Sequence, residues 1–232
     1  MKKKEVLELL KSNQDARGMK HWKEHAEKSG GLKSFGLGVT KLRKFAKEIG
    51  RDSKLAKQLW NTNIYDAKII SLLVDDPKSM TIEQAEKQVE QLQGGYLAHV
   101  FSSCNATLAK TPFVVSLADK WTKSKDPTRC RCGYGLVYEI SKNKKKSAPE
   151  ESYFLEHIAR IDKTYSKKSN LFLCSMAGSL LGIGKRSKKL NIAALKVAKK
   201  IGPVEFDSSG KCAPFDVAKH LTSDYVKEKV SR

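Results

Sequence analysis

Apolar residues recur at the i, i+3, i+4, i+7 spacing of a helix face along most of this chain, in short segments punctuated by helix stops. Leu42, Phe45, Ala46 and Ile49 form one such stripe, with Thr40 placed as an N-cap and Gly50 as a stop. Asp52 or Ser53 opens a short helix through Leu55, Ala56, Leu59 and Trp60, and another runs over 64–74, ending before Asp75-Asp76-Pro77. Thr81-Ile82-Glu83-Gln84 has the form of a capping box, for a helix that ends near Gly94-Gly95. Leu97, Val100, Phe101, Cys104 and Leu108 make the stripe of a helix over 96–108. Thr111-Pro112 and Asp126-Pro127 start two more, the first facing inward with Phe113, Leu117, Ala118 and Trp121. Phe154, Leu155, Ile158, Ile161 and Tyr165 stripe the next, and segments 171–181 and 190–201 close the array. Val204-Glu205-Phe206 reads as extended, and 215–230 returns to helical spacing. The pattern predicts an all-α protein. Helix pairs recur at roughly 35–40 residues, the scale of HEAT-type repeats, in which one helix of each pair lines a concave surface. A compact bundle is the structural alternative.

Charge restricts the partner. The chain of 232 residues has 45 Lys and Arg against 25 Asp and Glu, a formal charge of +20. Such an excess repels itself unless spread out or met by an anion, and nucleic acid leads, ahead of an anionic membrane surface. The densest point is Lys185-Arg186-Ser187-Lys188-Lys189, between the apolar run ending at Ile183 and the helix face that begins at Leu190. A helix N-terminus carries partial positive charge, so cations there conflict with it unless an anion is bound. A phosphate would resolve that conflict; a solvated turn is the plain alternative. The five cysteines form no disulfide-like framework and are expected to be reduced thiols, and Cys130 and Cys132 lack the second pair of a zinc site. Met1-Lys2-Lys3-Lys4 is not followed by the apolar region of a signal peptide, and no apolar run reaches a membrane span. A cytoplasmic protein is expected, nucleoid-associated if prokaryotic.

Several segments together resemble the DNA alkylation repair family, the AlkD-like glycosylases built from HEAT-like repeats. Leu42 to Gly50 is similar to the family's early helix, which contains Arg43. Leu55-Ala56-Lys57-Gln58-Leu59-Trp60 and Asp66-Ala67-Lys68 look like its "LA..LW" and "EAR" elements. Trp121 and Arg131 fall in its next repeat, and Ile183-Gly184-Lys185-Arg186 with Leu190-Asn191 looks like its "IGKR...LN" turn. The resemblance spans roughly residues 5–205. It implies a curved right-handed solenoid whose basic concave face holds duplex DNA, with 1–205 as the repeat domain and 206–232 as a segment capping it. The family is described as using an Asp four residues after a Trp, a second Trp in a later repeat, and an Arg on phosphate.

Alkylated purines are cationic leaving groups, and breaking their glycosidic bond builds oxocarbenium character on the sugar, which a nearby carboxylate stabilises. No metal or other cofactor is needed. Carried over, the first Trp position falls on Gly95, the Asp on His99 and the second Trp on Gly178; Arg131 is kept. No Asp or Glu lies between Gln91 and Lys110. On a helical wheel His99 points away from the core stripe, beside Ser102, Ser103 and Ala106. It can contact phosphate or act as a general base on water, but it cannot supply standing negative charge.

Arg131, Gly135 and Tyr138 form an i, i+4, i+7 line suited to phosphate, against an internal ion pair for Arg131 as the alternative. Trp60 and Trp121 are read as core. His21, His25, His157 and His220 are read as surface or capping residues, Asp75-Asp76 and Glu150-Glu151 as helix-end charges, and Asp119 as an alternative acid. The candidate DNA contacts are therefore Arg43, His99, Arg131, Tyr138, Lys185, Arg186, Lys188 and Lys189. The expected protein is monomeric and binds double-stranded, damaged or branched DNA with glycosylase activity lost or reduced. The alternatives are an active alkylpurine glycosylase and a scaffold for an acidic protein.

Overall fold

The computed structural model describes residues 1–24, 30–92, 95–205 and 213–231. Among these, fourteen α-helices follow one another: α1 Lys3–Ser12, α2 Ala16–Glu24, α3 Val39–Ile49, α4 Ser53–Trp60, α5 Tyr65–Val74, α6 Ile82–Glu90, α7 Gly95–Ser102, α8 Val114–Thr122, α9 Pro127–Ser141, α10 Glu151–Thr164, α11 Asn170–Gly184, α12 Lys188–Ile201, α13 Val217–Leu221 and α14 Asp224–Ser231. Extended pairing among the described residues is limited to isolated bridges, Lys33 with Ile64 and Val204 with Phe215. Several starts are fixed by side-chain caps that occupy orphan backbone donors. Asp52 accepts from Leu55 N at 2.9 Å, Thr81 from Gln84 N at 3.1 Å and Asp126 from Arg129 N at 2.6 Å. No helix among the described residues is long and apolar enough to cross a membrane. His25, Phe206 and Cys212 lie outside the described residues.

The chain forms two compact units, Met1–Val114 and Val115–Arg232. In the first, α5 is central and packs against α1, α3, α4 and α7. Ile69, Ile70, Leu72 and Val74 are buried there, with Leu42, Leu59 and Phe101 from its neighbours. Asp66 on α5 is fully buried, and its carboxylate accepts from Phe35 N at 2.8 Å, Leu37 N at 3.0 Å and Ser34 Oγ at 2.9 Å. It thereby ties the segment before α3 to the core. Arg51 closes the other end of α5, its Nη1 donating to the carbonyls of Leu73 (2.8 Å) and Asp75 (2.6 Å), which the helix leaves without intrahelical partners.

In the second unit, α9 and α11 approach closely. A Cβ at Gly182 would overlap Ser141 and Tyr138, and on the α8 side of α9 one at Gly133 would meet Thr122 N at 2.6 Å. Ser179 Oγ donates across the contact to Tyr134 O at 2.6 Å. Helix α12 packs on α10 and α11, and α13 and α14 pack over α12. Trp121, Tyr134, Phe154 and Ile161 are buried in this core.

The structure departs from the sequence reading at several places. Helix α3 starts two residues early, with Gly38 rather than Thr40 at the N-cap. The helix expected over 96–108 stops at Ser102, because Cys104 and Asn105 both adopt φ of 60°, the left-handed region that ends a helix. The chain then turns inward, so Ser102, Ser103 and Ala106 are buried instead of sharing the exposed side of His99. His157 is not a surface residue but 3% exposed, lying on the same face of α10 as Phe154 and Ile161. Asp75 is likewise buried, accepting from Gln84 Nε2 at 2.6 Å.

Candidate nucleic-acid interface

The predicted residues fall into two groups, one in the first unit and one in the second. In the first unit, α7 reads Gly-Tyr-Leu-Ala-His-Val-Phe-Ser and has no carboxylate. Leu97, Ala98, Val100 and Phe101 are buried and His99 is exposed, as the helical wheel predicts. The His99 Nε2 lies 3.5 Å from Cys104 Sγ. Arg43, on α3, donates from Nη2 to the Cys104 carbonyl at 2.8 Å and so supports the left-handed turn. Position 99 is therefore an imidazole beside a thiol. Neither group, in its neutral form, provides the negative charge that stabilises an oxocarbenium ion.

In the second unit, Arg131 and Tyr138 are half-buried on α9, with Gly135 buried between them. Burial pulls the Arg131 pKa below its ordinary value. The Tyr138 ring is covered by Lys142, whose Nζ is 4.2 Å from the ring centroid and 2.8 Å from Glu139 Oε1. Gly178, on α11, is open: a Cβ there would meet nothing within 4 Å.

The turn between α11 and α12 holds the densest cationic group. Ser187 caps α12, accepting from Leu190 N at 3.4 Å, and its hydroxyl is in turn bonded to the Glu151 carboxylate. Asn191 fastens the turn from behind, donating to Gly184 O at 3.0 Å and Leu221 O at 3.2 Å. Arg186 is directed inward: its Nη1 donates to Ser141 O at 2.7 Å and Asn143 O at 2.6 Å, and its guanidinium stacks 4.3 Å from the centroid of Phe154. It closes the end of α9 much as Arg51 closes α5. Lys188 and Lys189 are exposed on the first turn of α12, which has no acidic residue. Lys189 Nζ is 3.8 Å from Glu151 Oε2, an exposed pair of little energetic weight. Lys185 is half-buried, and its pKa is lowered by burial first and by Lys229 second. Four cations thus share this turn, and among the described residues the Glu151 carboxylate is the acid set against it.

Sequence reasoning missed Glu151 and Asn191 as turn partners, because both act across long sequence separations. Ser187 followed by Leu190 is a local cap signal that could have been read. A second overlooked group lies between α8 and α10, where Asp119 Oδ1 is 3.3 Å from His157 Nε2. Burial lowers the His157 pKa, opposed by the Asp119 carboxylate. That makes Asp119 the partner of a buried imidazole.

The model of the DNA alkylation repair enzymes matches residues 4–204. The chain belongs to that family. An uncharacterized protein of Listeria innocua is 25% identical over 175 residues, which is 75% of each chain. A solved structure, described as one of a new family of proteins related to the HEAT-like repeat DNA glycosylases with affinity for branched DNA structures, superposes with a TM-score of 0.83 at 21% identity. The superposition covers 99% of this chain and 96% of that one. The helices of the chain are thus a HEAT-like repeat fold.

Proposed function

We propose that the protein holds DNA through its phosphates and does not release alkylated bases at an appreciable rate. The observation that carries this reading is the α11–α12 turn, where Lys185, Arg186, Lys188 and Lys189 meet one carboxylate on a chain of net charge +20. Lys188 and Lys189 are the exposed cations of that turn, Lys189 in a loose pair with Glu151, with Lys185 behind them. Arg186 acts first as the clamp that keeps it rigid. Arg131 adds a half-buried guanidinium on α9, and Arg43 and His99 add cationic or polar groups in the first unit. The fold neighbour's affinity for branched DNA supports a substrate with an interrupted or bent duplex. The absence of any acid on α7 supports the loss of base excision.

The test is the salt dependence of binding. Each phosphate neutralised contributes a slope of about −0.9 to log K against log salt on duplex DNA, so three to four contacts predict a slope of about −3. Lys188→Gln should reduce it by about one unit. Binding that ignores salt, or preference for an acidic protein over DNA, refutes the reading. Family membership favours a second reading, an active alkylpurine glycosylase that relies on the cationic lesion itself; release of alkylated purines distinguishes it.

A further inference from the structure

The family match ends at residue 204, whereas helices α13 and α14 follow it and are seated firmly on the α11–α12 turn. Leu221 packs against Gly184 so closely that a Cβ there would approach its Cδ2 at 2.7 Å, and the Leu221 carbonyl accepts from Asn191. This seating places α14 beside Lys185. Its residues Tyr225 and Lys229 are one turn apart, so they share a face. Tyr225 is 65% exposed, and Lys229 Nζ lies 5.7 Å from its ring centroid. The neighbouring Lys227 is paired with Asp224 at 3.0 Å, which leaves that acid engaged.

Two half-buried ammonium groups, Lys185 and Lys229, are therefore brought together next to an exposed aromatic ring. Burial lowers the Lys185 pKa first, and the Lys229 charge adds to that lowering. A covering helix that met Lys185 with a carboxylate would be more stable in isolation. An anion bound between the two ammonium groups would turn their repulsion into attraction. The exposed ring beside them supplies a flat apolar face, and an ammonium next to it favours an anionic ligand that also carries a π-system. A phosphate followed by an unstacked base has both features.

Resting on the DNA-holding reading above, we propose that Lys185, Lys229 and Tyr225 form a nucleotide-sized site for a phosphate and an adjacent unpaired base, as found in single strands and at branch points. In this site the two lysines grip the phosphate and Tyr225 stacks the base. The C-terminal helices then add a preference for unpaired DNA to a turn that otherwise holds backbone.

The experiment is fluorescence anisotropy with three labelled probes at several salt concentrations: a blunt duplex, a single strand, and a three-way junction with unpaired nucleotides at its branch. Tyr225→Ala should weaken binding to the single strand and the junction about tenfold, leave the blunt duplex unchanged, and keep the salt slope. Tyr225→Phe should restore binding. Lys229→Gln should weaken all three probes and lower the salt slope by about one unit. A Tyr225→Ala protein that binds all probes as wild type does, or loses the blunt duplex equally, overturns the site while leaving the DNA-holding reading intact. Wild-type protein that binds none of the probes overturns that reading and this site together.

Discussion

Replacing Arg186 with alanine separates the structural role of the basic turn from its DNA-holding role. The guanidinium makes two hydrogen bonds to main-chain carbonyls, at 2.7 and 2.6 Å, and stacks on Phe154. Each bond is worth about 1 kcal/mol net for this half-exposed group, and the stacking adds about 0.5–1 kcal/mol. The loss should total about 2–3 kcal/mol, because the carbonyls of Ser141 and Asn143 lose a charged donor. For a chain of this length each kcal/mol moves the melting temperature by about 2–4 °C, so a drop of roughly 5–10 °C is expected. Arg186→Lys keeps the charge but not the planar fork, and should recover about half of the loss. Lys188→Gln, on the exposed first turn of α12, should stay within about 0.5 kcal/mol of wild type yet bind DNA more weakly. Differential scanning fluorimetry alongside DNA titration reads both effects. An Arg186→Ala protein that melts as wild type does, yet loses more DNA affinity than Lys188→Gln, refutes the clamp and makes Arg186 a DNA contact.

Acid should weaken the second unit through His157. Burial lowers its folded pKa below the ordinary 6.5 despite the Asp119 carboxylate, so the fold favours the neutral ring. That stability is fully present above pH 6.5 and is lost as pH falls from there through the folded pKa. His157→Gln should show a shallower decline in melting temperature between pH 7 and 5; an unchanged acid slope excludes this imidazole. Gly178→Ala should stabilise the protein by about 0.5–1 kcal/mol, since helix interiors disfavour glycine and nothing lies within 4 Å of the new methyl. Gly182→Ala should destabilise it, because the same methyl would collide with Ser141 and Tyr138. Urea midpoints of the two variants check the pair; a shared sign contradicts the packing.

The all-helical fold was legible because each helix covers a core through one face, and several starts have a local cap. Asp52, Thr81 and Asp126 are examples where a single side chain announces the boundary. The break after Ser102 was not legible. Its causes are two left-handed non-glycine residues and a carbonyl held by Arg43, sixty-one positions away in sequence. His157 was misread because the wheel treats histidine as polar, although its position belongs to the buried stripe of α10. At the candidate site, the exposure of His99 followed from helical geometry, whereas the inward direction of Arg186 did not. That direction depends on carbonyls at the end of α9, which only the packing of α9 against α11 brings within reach.

The most direct test of DNA holding without base excision is release of alkylated purines from alkylated duplex DNA, with protein in excess over substrate and wild type compared with His99→Asp and Arg131→Ala. We expect release by wild type to match the spontaneous rate, under conditions where the same protein binds the duplex in a salt-dependent manner. Robust release by wild type that Arg131→Ala abolishes would contradict that expectation and establish an active glycosylase.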